Sequence, residues 1–170
     1  QSYVSRLENG VITPSPEIAE RLRELLQNPV HRPLVDQLRA IVRYSPHAVA
    51  LLANDGEHVS AVEASVRCRN AGPPFEKYTT GMTTTDPLGQ VVASLVRRII
   101  DCGAFQDEIA CLELVWQASI KDELRFFHSV QTPVFVGAQW LVHSATSTIK
   151  QDTFEDFISR NGGPEKVHHF

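Results

Sequence analysis

Three long stretches between residues 109 and 150 constrain the fold most, because each reads as a strand and apolar and polar residues alternate along the first two. In residues 109–120 most apolar side chains stand at even positions, with Glu113 and Gln117 between them. A period of two indicates a β-strand with one buried face. The dipeptides at 121–122 and 137–138 are short enough for hairpin turns. The sequence therefore predicts an antiparallel meander of three strands, 109–120, 123–136 and 139–150.

The residues before this meander predict a hairpin and a helix. A short apolar run at 48–53 leads into Asn54-Asp55-Gly56, and Asp-Gly readily supplies the positive φ of a tight turn. A second strand, 59–66, follows, and then a loop rich in Gly, Pro and Thr. Apolar residues from Leu88 to Ile100 have helical spacing and predict the clearest helix of the chain. Together these elements predict an α+β fold with a five-stranded antiparallel sheet.

This order of elements resembles that of PAS-type sensor domains, which have two strands, a helical segment and a three-stranded meander in one sheet. The resemblance is one of topology over residues 47–150. It implies a domain that holds a small ligand between sheet and helices in many members, and that pairs as a dimer through the sheet or a flanking helix. A helix at 33–44, within a connector spanning 29–46, is expected in the flanking position. Residues 151–170 are expected to form a short helix and a loose tail.

The first residues of the chain predict one short helix and the start of another. Val4 and Leu7 are spaced to bury one face of the first helix, and Gly10 can take the left-handed conformation that ends a helix. The Ser-Pro-Glu at 15–17 is typical of a helix N-terminus: a capping Ser, Pro at the first position and an acid in the first turn.

Residues 1–26 resemble the second half of the helix-turn-helix domain in the Cro/repressor (XRE) family of transcriptional regulators. The resemblance implies that residues 1–10 are the recognition helix, whose opening residues enter the major groove of DNA. The residues that match the family's DNA-contacting positions are Gln1, Ser2, Tyr3, Ser5 and Arg6. Because the family has two further helices before this one, residues 1–28 are expected to be the C-terminal half of the domain, within a longer protein.

Charge and cysteine content add weaker expectations. The 170 residues carry a formal net charge of -4, so the chain as a whole has no basic field for nucleic acid. The three cysteines include no close pair, which argues against a disulfide framework and fits a reducing cytoplasm. No apolar run approaches the ~20 residues that span a membrane, so no membrane partner is expected. Two arginines flank Cys68, and this pattern predicts an exposed thiol with a lowered pKa that could sense redox state.

Three residues are candidates for contact with a small ligand: Trp116, Phe126 and His128. His128 alternates with apolar residues along the second strand of the meander, where it could ligate a haem iron or donate a hydrogen bond to a ligand. A lone His among apolar residues is more often a core or edge residue. The sequence does not indicate a particular cofactor.

Two functional hypotheses follow. The first is a cytoplasmic, homodimeric, DNA-binding regulator whose PAS-like domain senses a ligand. The second is a protein-interaction module in which the opening helices are only a scaffold. The sequence contains no phosphate-binding glycine loop, no closely paired metal-ligand motif and no identifiable nucleophile with its base. An enzymatic function is therefore not predicted.

Overall fold

The computed structural model describes residues 13–27, 34–56, 59–72, 87–106 and 108–170. The helices are α1 (Pro16–Gln27), α2 (Leu34–Arg43), α3 (Val66–Asn70), α4 (Pro87–Asp101) and α5 (Gln151–Asn161). The strands are β1 (Ala48–Asn54), β2 (Val59–Ala64), β3 (Cys111–Ile120), β4 (Glu123–Val136), β5 (Gln139–Ile149) and β6 (Glu165–His168).

All six strands form one antiparallel sheet in the order β2-β1-β5-β4-β3-β6. The hairpin and the meander are confirmed, and pairing of β1 with β5 joins them. Both predicted meander turns are also confirmed, with positive φ at Lys121 (52°) and Asp122 (63°), and at Gly137 (62°) and Ala138 (92°). Such two-residue loops match the twist of the strands they join. The α+β class is therefore correct.

The predicted number of strands is wrong, because the expected loose tail contains β6. Gly162 takes a φ of 71° after α5 and allows the chain to turn back along the sheet. Cys111 then pairs with His168 and Leu114 with Glu165. Val167 stands opposite Leu112 and packs against the core. The β6 strand thus extends the sheet beyond β3.

The second predicted strand also ends earlier than expected. The β2 strand stops at Ala64, and the segment predicted as loop begins with the short helix α3. Ser65 is completely buried and caps α3, because its Oγ accepts a hydrogen bond from the Cys68 N–H at 3.0 Å. A capping Ser three residues before the paired N–H is typical of helix starts. Helix α3 therefore begins directly at the edge of the sheet.

The larger core lies between α4 and one face of the sheet, which we call the α4 face. Val92, Leu95 and Ile99, which the helical spacing predicted, are buried there together with Val96, whereas Ile100 of the predicted set is exposed. The even-numbered apolar positions of β3 belong to the same core, which confirms the predicted alternation: Leu112, Leu114, Trp116, Ala118 and Ile120.

The opposite face of the sheet, which we call the α2 face, carries two helices. Helix α2 packs Val42 against Leu51 and Leu141 in a smaller core, with Val35 and Leu38 partly buried beside them. Helix α5 lies against β4 and β3 on the other half of this face. The sheet is thus covered on both sides, and the two faces offer separate environments for a site.

Candidate ligand-binding site

Trp116 lies on the α4 face at one end of a chain of polar side chains. Its indole ring stacks on Phe127 of β4, with centroids 4.2 Å apart and planes 20° from parallel. The Trp116 Nε1–H donates to Ser129 Oγ at 2.9 Å, and Ser129 Oγ is 2.8 Å from Thr146 Oγ1. Because Trp116 is 6 % exposed and Ser129 3 %, this row of hydrogen-bonded side chains runs through the core across three adjacent strands.

Gln131 extends this polar group on the same face. It follows Ser129 by two positions on β4, so both side chains project from the same side of the sheet. Gln131 is 2 % exposed, and its Oε1 has no hydrogen-bond partner among the described residues. Ser144, opposite Gln131 on β5, is also buried. Burying an unpaired acceptor costs about 1–3 kcal/mol, so a donor on a bound molecule would interact favourably with Gln131.

Phe126 and His128 lie on the α2 face instead, under α5. The ring of Phe126 is 5.0 Å from that of Phe154, and the ring of His128 is 5.8 Å from that of Phe157. The three candidate ligand residues are therefore not brought together, because Trp116 points to one face of the sheet and the other two to the opposite face.

The imidazole of His128 contacts a carboxylate rather than a ligand cavity. His128 Nε2 is 3.1 Å from Glu113 Oε2, and His168 Nε2 is 2.6 Å from Glu113 Oε1. Partial burial of Glu113 acts to raise its pKa, but the hydrogen bonds from His168 and His128 outweigh it. The pKa of Glu113 therefore lies below its usual value. This carboxylate ties β6 to β3 and β4.

The partner of Trp116 could have been identified from the sequence. A two-residue turn at 121–122 pairs Ile120 with Glu123, and counting back from that pair sets Trp116 opposite Phe127. The same count places Ser129 and Gln131 on the face of Trp116. The predicted set instead took Phe126 and His128, and even-numbered residues of β4 lie on the face opposite to Trp116.

The cysteine prediction is wrong. Cys68 is 2 % exposed, and burial raises the pKa of its thiol to about 11, although the charge of Arg69 acts in the opposite direction. The side chain of Cys68 faces the α4 core because the short helix α3 turns it inward. Burial also raises the pKa of the partly exposed Cys102 and Cys111. A thiol in this environment is protonated and unreactive near neutral pH.

Helix α2 is tied to the edge of the sheet by a buried carboxylate. Glu63 of β2 accepts hydrogen bonds from Arg43 Nε at 3.1 Å and from Arg69 Nη1 at 3.3 Å. Burial acts to raise the pKa of Glu63, but the hydrogen bonds from Arg43 and the Ala64 N–H and the nearby charges lower it overall. Because Arg43 belongs to α2 and Arg69 to α3, Glu63 connects helices on the two sides of the sheet edge.

The outer side of α2 is apolar and exposed. Leu34 is 58 % exposed, Ile41 66 % and Tyr44 79 %. Leu34 and Ile41, seven residues apart, lie on one side of the helix, away from Val35 and Val42, and Tyr44 follows directly after its last residue. We call these three residues the α2 stripe. A contiguous apolar stripe on a surface helix is typical of an interaction surface.

The predicted DNA contacts, Gln1, Ser2, Tyr3, Ser5 and Arg6, lie outside the described residues. In the part of the chain that is described, no helix is both long and apolar enough to span a membrane. Nor do those residues include a cluster of three or more His, Cys, Asp or Glu arranged to hold a metal ion.

Neither comparison with known proteins finds a relative: no protein-family model matches the chain, and no curated protein matches its sequence.

Proposed function

We propose that this chain is part of a DNA-binding transcriptional regulator, in which a PAS-like domain pairs two copies and senses a small ligand. The observation that carries DNA binding is the sequence of residues 1–10, which resembles a Cro/repressor recognition helix. The helix expected after it is present as α1, and Ser15 Oγ accepts a hydrogen bond from the Ile18 N–H at its N-terminus. A Ser at this position is a favourable helix cap.

The arrangement of the sheet supports the PAS-like part of the proposal. A hairpin, a helical segment and a three-stranded meander follow one another, and β1 and β5 join them into one sheet. The β6 strand is an addition to this arrangement. The unpaired Oε1 of Gln131 beside the Trp116–Ser129–Thr146 chain supports binding of a small molecule with a hydrogen-bond donor on the α4 face.

The contacts of α2 support a mechanism for regulation. This helix follows the proposed DNA-binding part of the chain and packs on the α2 face of the sheet. Through Glu63 it is connected to α3, which contributes Cys68 to the α4 core. A ligand that displaces α3 would move Arg43 and hence α2. In a dimer, such a shift changes the spacing of two recognition helices, and palindromic operators demand a fixed spacing.

A mobility-shift assay of the full-length protein with its own promoter DNA tests this proposal. Arg6→Ala is expected to weaken specific binding by about 1–3 kcal/mol, or 5- to 150-fold, if Arg6 contacts a base. Arg97→Ala is the matched control, because it removes an equal charge from an exposed position on α4. If the full-length protein binds none of the promoter fragments at either low or high salt, the DNA-binding proposal is wrong.

A second candidate function is binding of an extended peptide. The β6 strand pairs only with Cys111 to Leu114, and among the described residues no strand lies beside the exposed Gln117 and Ser119. A cleft of about 420 Å³ adjoins this open edge and is lined in part by Leu95, Trp116 and Phe154. A peptide could add to the sheet edge as a further strand.

A pull-down of cellular partners distinguishes the two functions. If the chain is an interaction module, partner capture survives both deletion of residues 1–28 and Arg6→Ala. If it is a DNA-binding regulator, those changes abolish or weaken binding to promoter DNA.

A further inference from the structure

A second cleft lies where β5 runs past the start of β1. The last pair between these strands is Ala48 with Thr146, whereas β5 continues to Ile149 against β4. The space left beside Ser147 and Thr148 is a cleft of about 500 Å³, within the range of small-molecule sites. Its lining residues are Pro46, His47, Ala48, Arg67, Ala71, Thr146, Ser147 and Thr148.

The polar groups of this cleft are suited to a negative charge. Arg67 and His47 are basic residues of the lining, and Thr146 and Thr148 of β5 project their hydroxyl-bearing side chains from the same face of the sheet. None of the described residues that line the cleft is acidic. Arg67 forms no hydrogen bond or ion pair with the side chains that the structure describes, unlike its neighbour Arg69, which pairs with Glu63. An unpaired guanidinium beside hydroxyl groups matches the geometry of carboxylate and phosphate oxygens.

One wall of the cleft is held by a single buried residue, Ser65. Ser65 donates to the His47 carbonyl at 2.7 Å and accepts from the Val49 N–H at 3.2 Å. The same Oγ caps α3, the helix that carries Arg67. On the opposite wall, Thr146 is tied to Ser129. These bonds fix the backbone at the strand entry, at α3 and at β5, so the positions that carry Arg67 and Thr148 are set before any ligand arrives.

We propose that this cleft binds a small oxyanion, a phosphate or carboxylate group, with Arg67 as its main charged contact and the hydroxyl group of Thr148 as a hydrogen-bond donor. This proposal does not rest on DNA binding, since a chain that binds no DNA can still bind the anion. It goes beyond the site around Gln131, which is uncharged and fully buried.

Titration of the 170-residue chain with sodium phosphate, sodium acetate and sodium chloride, followed by ¹H–¹⁵N NMR, tests the proposal. Saturable shifts at residues 47, 48, 67 and 146–148 are expected, with a Kd of about 1 mM or tighter for at least one oxyanion. Saturation with phosphate alone identifies a phosphate site, and saturation with acetate alone identifies a carboxylate site. Shifts that are equal in all three salts, or that never saturate, overturn the proposal.

Variants separate a specific site from general attraction of anions. Arg67→Gln is expected to weaken binding about ten-fold or more, and Arg67→Lys less, because Lys keeps the charge but not the planar fork. Arg97→Gln removes the same charge from α4 and should leave the affinity unchanged. Thr148→Ala, on an exposed position of β5, is expected to weaken binding a few-fold without unfolding the protein. Equal losses for Arg67→Gln and Arg97→Gln contradict the proposal.

Discussion

At the scale of single residues, the unpaired Oε1 of Gln131 lowers the stability of the ligand-free protein by a measurable amount. Replacing a buried, unsatisfied polar group with an apolar one of similar size is often neutral or stabilising. Because Oε1 of Gln131 is buried without a partner among the described residues, Gln131→Leu is expected to raise the free energy of unfolding by about 1 kcal/mol.

Urea denaturation measures this difference, and Ser129→Ala is the control. Ser129 joins Trp116 to Thr146 by two short hydrogen bonds, so its loss should destabilise the protein by about 1–2 kcal/mol. A loss of stability in Gln131→Leu as large as that of Ser129→Ala would mean that the amide of Gln131 is satisfied in the folded protein.

Glu113 gives a prediction about pH. Its pKa is lowered in the folded state, so its stabilising effect is fully present above the unfolded pKa and is lost as the pH falls through the folded pKa. The pH range in which this stabilisation is lost therefore begins near 4.5, the ordinary pKa of a Glu side chain, and extends below it. Glu113→Gln should lower stability at pH 6 by about 1 kcal/mol and lose less stability than the wild type on acidification.

Thermal denaturation of both proteins between about pH 6 and pH 3 checks this expectation. Glu63 also has a lowered pKa, but it is present in both proteins and cancels in the difference. If the stabilities of the wild type and of Glu113→Gln change in parallel across this pH range, the two histidines do not stabilise the Glu113 carboxylate.

At the scale of secondary-structure elements, sequence patterns predicted the long elements, in which many residues repeat the same apolar period. The strands of the meander and helix α4 each bury several apolar side chains at one period, so their type is encoded repeatedly. The β6 strand has only four residues, with the partly buried Val167 as its one apolar residue, and α3 has five. Their positions depend on pairing with β3 and on the buried Ser65, which are contacts distant in the chain.

The attachment of α2 to the sheet gives the next prediction. The side chain of Glu63 is 5 % exposed and is the acceptor for both Arg43 and Arg69. Removing the charge from a buried ion pair leaves its partners poorly satisfied and costs about 3–5 kcal/mol. Because both arginines are partly exposed and can reach water, we expect about 2 kcal/mol for Glu63→Gln. Hydrogen exchange should accelerate in α2 and α3 more than in β3.

The arginine variants complete this test. Arg69→Gln should accelerate exchange in α2 as well as in α3, because it breaks the link that Glu63 makes between Arg43 of α2 and Arg69 of α3. Arg98→Gln is the control, because it removes an exposed pair with Glu165 on the opposite edge of the sheet. Acceleration confined to α3 in Arg69→Gln would mean that Glu63 does not couple the two helices.

At the scale of the whole molecule, the α2 stripe bears on the number of chains in the functional unit. Val35, Leu38 and Val42 bury one side of α2 in the small core, while Leu34, Ile41 and Tyr44 leave a second apolar side in contact with water. Burying apolar area contributes about 25 cal/mol per Å², so pairing of two stripes is favourable. A second copy of the chain is the partner that the proposed regulator requires, because palindromic DNA sites are bound by symmetric dimers.

Ile41→Asp is expected to shift the full-length protein from dimer to monomer, because a carboxylate at the centre of a paired apolar surface would lose its hydration. Leu124→Asp is the matched control, since Leu124 is also an exposed apolar residue but lies on β4, away from α2. Light scattering after size exclusion measures the mass of each variant, and thermal denaturation confirms that both remain folded. The loss of dimer should also weaken binding to a palindromic promoter site in the same samples. A folded Ile41→Asp variant with the mass of the wild-type dimer would place the dimer contact elsewhere than on α2.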